Sequence, residues 1–445
     1  MKYNYKHKKI LIWGIGITGI SCINFFVKKG IYPKVIDTET NLKRLKFINK
    51  IPKRIAIKLG NDIKSWIFQS DLIVISPGIS LFHPLLQQAS TLGIEIIGDI
   101  ELFCRETNKP IVAITGSNGK TTVTSILQTI AKKSSIRVAT GGNIGIPALS
   151  ILEKPSDIYI LELSSFQLET INSLKAYIAV IINITPDHMD RYFSNFNLYK
   201  HTKLKIYNNA NICILNTKNN FFKKNIHKQQ KKITFGINYG DYHLVKRHST
   251  TWVYHKYKKV INLNNILLRG SHNFENVLVT LAISDTIGFS RNITLKTLYK
   301  FNGLSHRFQT IYKKNNITCI NDSKSTNIGS TIAAIKNVRT KGTLRLLLGG
   351  NIKSANFYAL KKYLKNKKIK IYCYGVDGKH IFNIFPYISS CTLTLNQAMH
   401  LIKSEITSND VILLSPGCSS TDQFTNFEER GESFKKLSKK ILKHI

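Results

Sequence analysis

Residues 111–122 have the sequence IVAITGSNGKTT, an apolar run followed by a glycine-rich turn, a lysine and two threonines. The apolar run predicts a strand, and the polar segment after it predicts a turn that opens a helix. Backbone N–H groups of such a turn can surround phosphate oxygens, Lys120 adds a cation, and Thr121 offers a hydroxyl to magnesium. The stretch therefore predicts a nucleotide phosphate loop. Its candidate ATP contacts are Gly116, Ser117, Asn118, Gly119, Lys120, Thr121 and Thr122.

A second glycine-rich turn, GIGITG at residues 14–19, follows a predicted strand at 9–13 and precedes a predicted helix at 20–29. The next strand, 34–36, ends at Asp37. Three glycines and an acid about twenty residues later are typical of dinucleotide-binding βαβ units, which makes an NAD(P) oxidoreductase one interpretation. The same geometry also suits a UDP-sugar, because a helix N-terminus binds any diphosphate. The glycines argue against interpreting the uncharged residues 10–27 as a signal peptide or membrane anchor.

The overall composition bears on the number of domains, on nucleic-acid binding and on the cellular compartment. The 445 residues predict two or three domains, of which we favour three, and Lys+Arg 65 against Asp+Glu 25 gives a net charge of +40. That charge suggests a nucleic-acid-binding ATPase, but the lysines are dispersed over the whole chain, which favours a solvated basic surface. The seven scattered cysteines form no C-x-x-C pair. We therefore expect no zinc site and a protein that resides in the reducing cytoplasm.

Two further strands of the central region end in polar residues. The predicted strand 158–161 leads into Glu162, and the predicted strand 179–182 leads into residues 183–191, NITPDHMDR, which contain His188. Because a buried carboxylate needs a compensating cation, Glu162 beside a phosphate loop is predicted to hold magnesium. Imidazole prefers softer metals, so the residues alone leave the role of His188 open.

The remaining chain carries weaker patterns. Residues 71–75 predict a strand that runs into a turn at 76–79, and residues 99–103 predict a helix. The polar residues 219–259 predict an irregular, exposed excursion. Four apolar strands at 317–320, 343–348, 370–373 and 411–414 alternate with helical stretches and predict another parallel sheet.

Taken in order, several motifs resemble those of the Mur ligases, the amide-forming enzymes of peptidoglycan precursor synthesis. The phosphate loop has their short form TGSNGKTT, with Ile114 where a generic loop has glycine. The other motifs are GGNIG (141–145), LELSSFQLE (161–169), NITPDHMDR (183–191), GSHNFEN (270–276), HRF (306–308) and NDSKSTN (321–327). The similarity extends from about residue 8 to 440. Within the family, GIGITG, GDIELF (98–103) and LSPGCSSTDQF (414–424) resemble the members that add D-glutamate.

The resemblance implies an α/β fold of three domains, each a mainly parallel sheet with helices. The N-terminal domain is expected to be Rossmann-like (1–98, UDP-sugar), the central one phosphate-loop ATPase-like (99–303, ATP), and the C-terminal one Rossmann-like (304–445, amino acid). The implied reaction joins D-glutamate to UDP-N-acetylmuramoyl-L-alanine through an acyl phosphate, with ATP and two magnesium ions. We expect a cytoplasmic monomer that binds neither nucleic acid nor membrane.

The resemblance also implies roles for individual residues. Lys120, His188, Lys203 and Lys324 are the implied catalytic residues, and further ATP contacts are Asn273, Asn276, Arg307 and Asp322. The implied metal ligands are Thr121, Glu162, His188 and Lys203, the last as a carbamate. The implied UDP-sugar contacts are Ile17, Thr18, Asp37, Gly78, Asn143, Ser164 and His188. The implied D-glutamate contacts are Lys353, Ser420 and Phe427.

Two positions depart from the family pattern. Asn351 and Ile352 precede Lys353 where the family tends to have aspartate and glycine, so the loop loses a charge and a glycine. Glu39 replaces a basic residue often found near the uracil. Neither position belongs to the ATP chemistry.

Overall fold

A computed structural model describes residues 3–40, 47–219, 226–268, 270–352, 355–365 and 367–442. The chain divides into two compact units. The first comprises Met1–Ile184, Asn197–Asn265 and Glu275–Tyr299, and the second comprises Thr185–Phe196, Ile266–Phe274 and Lys300–Ile445. The first unit contains two sheets and the second unit contains one. The predicted domain boundaries near residues 98 and 303 remain predictions.

The first sheet has five parallel strands in the order β3-β2-β1-β4-β5. The strands are β1 (Ile10–Trp13), β2 (Lys34–Asp37), β3 (Ile57–Leu59), β4 (Leu72–Ile75) and β5 (Glu95–Gly98). Its helices are α1 (Ile17–Lys28), α2 (Lys64–Phe68) and α3 (Pro84–Thr91). Leu11 and Trp13 pack on one face and Ile10 and Ile12 on the other, because alternate side chains of a strand point to opposite faces. The strand order reverses between β1 and β4, the place where such sheets bind ligands.

The second sheet has nine strands in the order β14-β13-β12-β11-β10-β9-β6-β8-β7. They are β6 (Ile111–Thr115), β7 (Val138–Gly142), β8 (Ile158–Glu162), β9 (Ile178–Ile181), β10 (Ile212–Asn216), β11 (Lys231–Gly236), β12 (Tyr242–Arg247), β13 (Thr250–His255) and β14 (Lys258–Asn262). Its helices are α4 (Asp99–Glu106), α5 (Lys120–Ala131), α6 (Ser165–Glu169), α7 (Phe196–Leu204), α8 (Ser271–Ile287) and α9 (Arg291–Lys300). Short 3₁₀ helices are Ala148–Ile151, Lys205–Tyr207 and Leu263–Asn265.

The prediction of an irregular excursion at 219–259 is wrong for the part that the structure describes. There β11 to β14 extend the sheet, β11 pairing in parallel with β10 and β12 to β14 pairing antiparallel. A pair of polar residues occupies one end of each of these strands, as the exposed Lys231 and Lys232 at the start of β11 illustrate. Their composition therefore resembles that of a loop.

The sheet of the second unit has the order β15-β16-β20-β17-β18-β19, parallel except for the edge strand β15. The strands are β15 (Gln309–Lys314), β16 (Ile317–Asn321), β17 (Leu344–Gly349), β18 (Ile369–Tyr374), β19 (Ser389–Cys391) and β20 (Val411–Leu414). The helices are α10 (Ile328–Asn337), α11 (Lys361–Leu364), α12 (Gly378–Ile384), α13 (Leu395–Glu405) and α14 (Phe427–Leu442), with a 3₁₀ helix at Phe357–Leu360. Apolar clusters cover both faces. The predicted α/β class with three mainly parallel sheets is thus confirmed.

Among the helices of the described residues, none combines the length and apolar character needed to cross a membrane. Residues 10–27, which could be mistaken for an anchor, form β1, a turn and most of α1.

Candidate functional site

The phosphate-loop segment adopts a backbone that requires glycine at two positions. Gly116 has φ +155° and Gly119 has φ +87°, and α5 begins at the next residue, Lys120. A Cβ atom at Gly119 would lie 2.3 Å from Asn276 Oδ1. Glycine is therefore needed both for the left-handed backbone and for the close approach of α8.

Lys120 is folded back over this loop. Its ammonium donates to the carbonyl oxygens of Gly116 at 2.6 Å and Ser117 at 3.2 Å. The N-terminus of α5 and this cation together provide positive potential at one place, which is what bound phosphate requires.

Neighbouring residues hold the loop in this conformation. Asn118 N–H donates to Asn183 Oδ1 at 2.9 Å, and Asn183 Nδ2 donates to Asn118 O at 3.1 Å. The hydroxyls of Ser117 and Tyr199 lie 2.8 Å apart. Sequence reasoning did not single out Asn183 and Tyr199, although Asn183 follows a strand adjacent to β6 and so occupies a position that could have drawn attention.

Glu162 ends β8 beside the phosphate-loop strand, where it pairs with Ile114 on one side and Gly142 on the other. Its carboxylate is buried, and Oε1 accepts a hydrogen bond from Asn143 Nδ2 at 2.9 Å. Within the described residues Oε2 is buried with no hydrogen-bond partner. A buried carboxylate oxygen without a donor fits a hard cation such as magnesium, which accepts oxygen ligands.

Lys203 of α7 is buried, whereas most lysines of a protein are solvated. Its ammonium donates to Thr115 Oγ1 at 3.1 Å and to Gly116 O at 3.2 Å. Lys120 donates to the same Gly116 oxygen. Two ammonium groups thus meet at one carbonyl oxygen at the base of the loop, an arrangement in which like charges repel.

In the part of the chain that the structure describes, no three His, Cys, Asp or Glu side chains are grouped to hold a metal ion. Magnesium at phosphate sites is commonly held by one or two carboxylates together with phosphate oxygens and water. Glu162 and the adjacent loop match that sparse ligand set.

A separate cavity of about 380 Å³ opens at the switch point of the first sheet. The turn after β1 is held by Asp37, whose Oδ2 accepts the N–H of Ile15 at 2.6 Å and whose Oδ1 accepts the N–H of Glu39 at 2.9 Å. A Cβ atom at Gly19 would lie 2.0 Å from Gly14 O, so the turn closes only with glycine there. The cavity is lined by Gly14, Gly16, Ile17, Thr18, Asp37, Thr38, Glu39, Ser76, Pro77, Gly78, Ile79, Gly142, Asn143 and Gln167.

The cavity brings together five of the residues predicted to contact the UDP-sugar, namely Ile17, Thr18, Asp37, Gly78 and Asn143. Ser164 is not among its lining residues but caps α6, the helix that carries Gln167. Sequence reasoning missed Gln167, although it lies within the quoted motif LELSSFQLE. Glu39 also lines the cavity, so this departure from the family pattern adds a carboxylate to the wall.

In the second unit, Asp322 is buried and accepts hydrogen bonds from Phe308 N at 3.0 Å and Ser415 Oγ at 2.9 Å. Burial raises the pKa of Asp322 to about 7. The ammonium of Lys324 lies 3.8 Å from the centroid of the Phe427 ring. A predicted catalytic residue and a predicted D-glutamate contact are therefore neighbours. Ser420 is buried, whereas Lys353 lies outside the described residues.

His188 also belongs to the second unit, whereas Lys120, Glu162 and Lys203 belong to the first. It has a left-handed backbone, φ +54°, and its Nε2 lies 3.7 Å from Asp187 Oδ2. Asn273 and Asn276, three residues apart on α8, are likewise divided between the units. Arg307 lies near His272, and burial together with that guanidinium lowers the pKa of His272 to about 4. The predicted roles of His188, Asn273 and Arg307 stay predictions.

Comparison with known proteins gives three family matches. Residues 8–98 match the Mur ligase MurD-like N-terminal domain, 114–284 the Mur ligase middle domain, and 306–418 the Mur ligase glutamate ligase domain. A UDP-N-acetylmuramoylalanine–D-glutamate ligase of Buchnera aphidicola subsp. Schizaphis graminum is 56% identical over 99% of this chain and 100% of its own. Its counterpart in Salmonella choleraesuis is 45% identical over 98% of this chain and 99% of its own.

Solved structures share the fold at low identity. A pseudomurein peptide ligase type C from Methanothermus fervidus aligns with a TM-score of 0.64 and 17% identity, covering 98% of this chain and all of that one. MurF ligase from Thermotoga maritima, in complex with ADP, aligns with a TM-score of 0.61 and 16% identity, covering 97% of this chain and 98% of that one. Identity of 45–56% over almost the full length of two relatives is decisive. The chain belongs to the Mur ligase family.

Proposed function

We propose that this enzyme is an ATP-dependent ligase that joins D-glutamate to UDP-N-acetylmuramoyl-L-alanine in cytoplasmic peptidoglycan precursor synthesis, acting as a monomer. The observation that carries the proposal is the full-length identity to relatives named for this reaction. The phosphate loop and the Glu162 oxygen that has no hydrogen-bond partner among the described residues supply independent support, because their chemistry suits a magnesium nucleotide.

The reaction has two steps. An oxygen of the alanyl carboxylate attacks the γ-phosphorus of ATP, forming a new O–P bond while the bond to the β-phosphate oxygen breaks and ADP leaves. The D-glutamate amine then attacks the acyl carbon of this acyl phosphate, inorganic phosphate departs, and the nitrogen loses a proton. Both steps bring anions together, so catalysis depends on positioning and on positive charge around the phosphates.

Residues of the first unit would supply most of that positive charge. Lys120 and the N-terminus of α5 would hold the ATP phosphates, with Asn276 next to the loop at the adenine side. Thr121 and Glu162 would hold one magnesium ion, and His188 with Lys203 a second. Bound magnesium would neutralise phosphate charge as the reaction proceeds.

Lys203 would act as a carbamate. The observation in favour is that its ammonium and that of Lys120 converge on the Gly116 carbonyl oxygen. Addition of carbon dioxide replaces one of the two positive charges with an anionic oxygen ligand suited to magnesium. Lys120 would then keep the phosphates without a competing cation.

The cavity of the first sheet would hold the UDP part of the substrate, with Ile17, Thr18, Asp37 and Gly78 as contacts, while Asn143, Ser164 and His188 would lie toward the muramoyl-alanine end. In the C-terminal region, Arg307, Asp322 and Lys324 would contact ribose and phosphates. Lys353, Ser420 and Phe427 would form the D-glutamate pocket. The contact between Lys324 and the Phe427 ring supports placing the phosphates next to the amino acid.

The test is phosphate release from ATP with each substrate omitted in turn. We expect release only when UDP-N-acetylmuramoyl-L-alanine and D-glutamate are both present. Equal turnover with meso-diaminopimelate or L-alanine as the acceptor would contradict the proposed specificity, and no release with any acceptor would contradict the ligase itself.

A further inference from the structure

Asp99 is a buried carboxylate to which the proposed reaction gives no role. It is the first residue of α4, directly after β5, and it is 1% exposed. Its Oδ2 accepts a hydrogen bond from Gln167 Nε2 at 3.4 Å, and its Oδ1 is buried with no hydrogen-bond partner among the described residues. Burial raises the pKa of Asp99 to about 6, against the effects of the Gln167 hydrogen bond and of the backbone N–H groups of Ile100 and of Asp99 itself. A buried carboxyl is costly to stability, which calls for a reason to keep it.

The carboxamide of Gln167 is oriented from both ends. Its Oε1 accepts from Ser164 N at 3.1 Å and from Ser164 Oγ at 3.3 Å, while its Nε2 donates to Asp99. Rotating the amide by 180° would place its NH₂ group against the Ser164 N–H and its oxygen against the Asp99 carboxylate. Both contacts would be repulsive, so the network permits one orientation.

This orientation determines what Gln167 presents to the cavity that it lines. The amide oxygen accepts hydrogen bonds from Ser164, and one of the two amide N–H groups donates to Asp99. The second N–H has no acceptor among the described residues, so the side chain can offer the cavity a hydrogen-bond donor. Without Asp99 only the bonds from Ser164 would hold the amide, and its nitrogen end would lose the acceptor that fixes its direction.

The surrounding packing keeps Asp99 in place. A Cβ atom at Gly98 would lie 2.5 Å from Thr170 Oγ1, so the junction of β5 and α4 rests directly against the end of α6. Two residues further along α4, Glu101 accepts the N–H groups of Asn172 at 2.8 Å and Ser173 at 2.9 Å. Helix α4 therefore fixes the segment that carries Gln167 at two separate points.

We propose that Asp99 is a positioning residue for nucleotide-sugar binding, which holds the Gln167 carboxamide so that an N–H faces the cavity and meets an acceptor oxygen of the ligand. The proposal rests on the proposed function for the identity of the ligand. We assign the oxygen to the muramoyl-alanine part, the predicted partner of Asn143 in the same cavity, and expect UDP binding not to sense the change.

The test measures binding of UDP-N-acetylmuramoyl-L-alanine and of UDP by calorimetry, without ATP, to the full-length enzyme. Asp99→Ala should weaken binding of the nucleotide-sugar about five- to tenfold, the value of one misdirected hydrogen bond, and leave UDP binding within about twofold. Asp99→Asn keeps an acceptor oxygen for Gln167 and should restore binding. Glu101→Gln is the matched control, because it alters the same helix at a point that does not contact Gln167, and it should lower thermal stability with unchanged affinity.

The outcomes separate the two proposals. If the unaltered enzyme binds neither ligand, the proposed function fails. If it binds both and folded Asp99→Ala binds the nucleotide-sugar equally well, the positioning role is wrong, as it also is if Asp99→Asn does not restore affinity. If Asp99→Ala does not fold, Asp99→Leu removes both oxygens at similar volume, and the same loss of affinity is expected for it.

Discussion

The two glycine-rich turns of the first unit share a geometry and differ in charge. Both follow a parallel strand and open a helix, α1 after residues 14–16 and α5 after residues 116–119. Both use left-handed glycines, Gly14 in the first and Gly119 in the second. The first turn is held by the carboxylate of Asp37, whereas two ammonium groups, those of Lys120 and Lys203, meet at the second.

This difference separates what the backbone of a strand-turn-helix unit provides from what its side chains add. Its N–H groups make an anion site in either case. The anionic anchor of the first turn accepts a backbone N–H, so it stabilises the loop without adding positive charge. The cations of the second turn can stabilise charge that develops on a transferred phosphoryl group. The first turn is therefore suited to holding a diphosphate, and the second to supporting transfer of a phosphoryl group.

The sharpest test of this comparison is Lys120→Ala. We expect the rate of phosphate release to fall at least about a hundredfold, because a principal electrostatic contact to the transferring group is lost. Binding of UDP-N-acetylmuramoyl-L-alanine should be unchanged. Lys132→Ala, at the exposed far end of α5, is the control and should retain full activity. Full turnover by folded Lys120→Ala would show that the second turn does not need this cation for catalysis, and the proposed difference between the two turns would be wrong.

A second test concerns Lys203. If it acts as a carbamate, Lys203→Arg should lose roughly ten- to a hundredfold in rate, because guanidinium stays cationic and cannot ligate magnesium. Removing bicarbonate should also slow the unaltered enzyme. Lys200→Arg on the same helix should behave like the parent. Full activity of Lys203→Arg, together with indifference to bicarbonate, would show that Lys203 acts only as a buried cation.

The smallest expected kinetic effect is that of Asp37→Ala in the first turn. We expect KM for the UDP-sugar to rise about tenfold with a smaller change in kcat, because the contact is equally present in ground and transition states. Loss of its bond to Ile15 N should lower the melting temperature as well. Asp62→Ala, at an exposed aspartate of the same sheet region, provides the control. A fall in kcat at constant KM would mean that the first turn takes part in the chemistry.

Several elements were predictable from the chain because their pattern is local. The strand before each glycine turn, the helix at Asp99 and the four strands at 317–414 were all found within a few residues of their observed ends. Strands β11 to β14 were missed because a pair of polar residues occupies one end of each strand, which leaves only a short apolar run. Their pairing depends on the neighbouring strand β10, which no local pattern reveals.

The sequence by itself determined the two glycine-rich turns, the carboxylate that ends β8 and the family. Each of these depends on residues that are close together along the chain, or on the order of short motifs. Only the tertiary structure decided that Lys203 is buried against the phosphate loop, that Asn183 and Tyr199 fix that loop, and that Asp99 orients Gln167 toward the cavity. Each of these contacts joins residues 65 to 88 positions apart. The spacing of residues along the chain carries no information on such contacts, which exist only once the strands and helices are packed together.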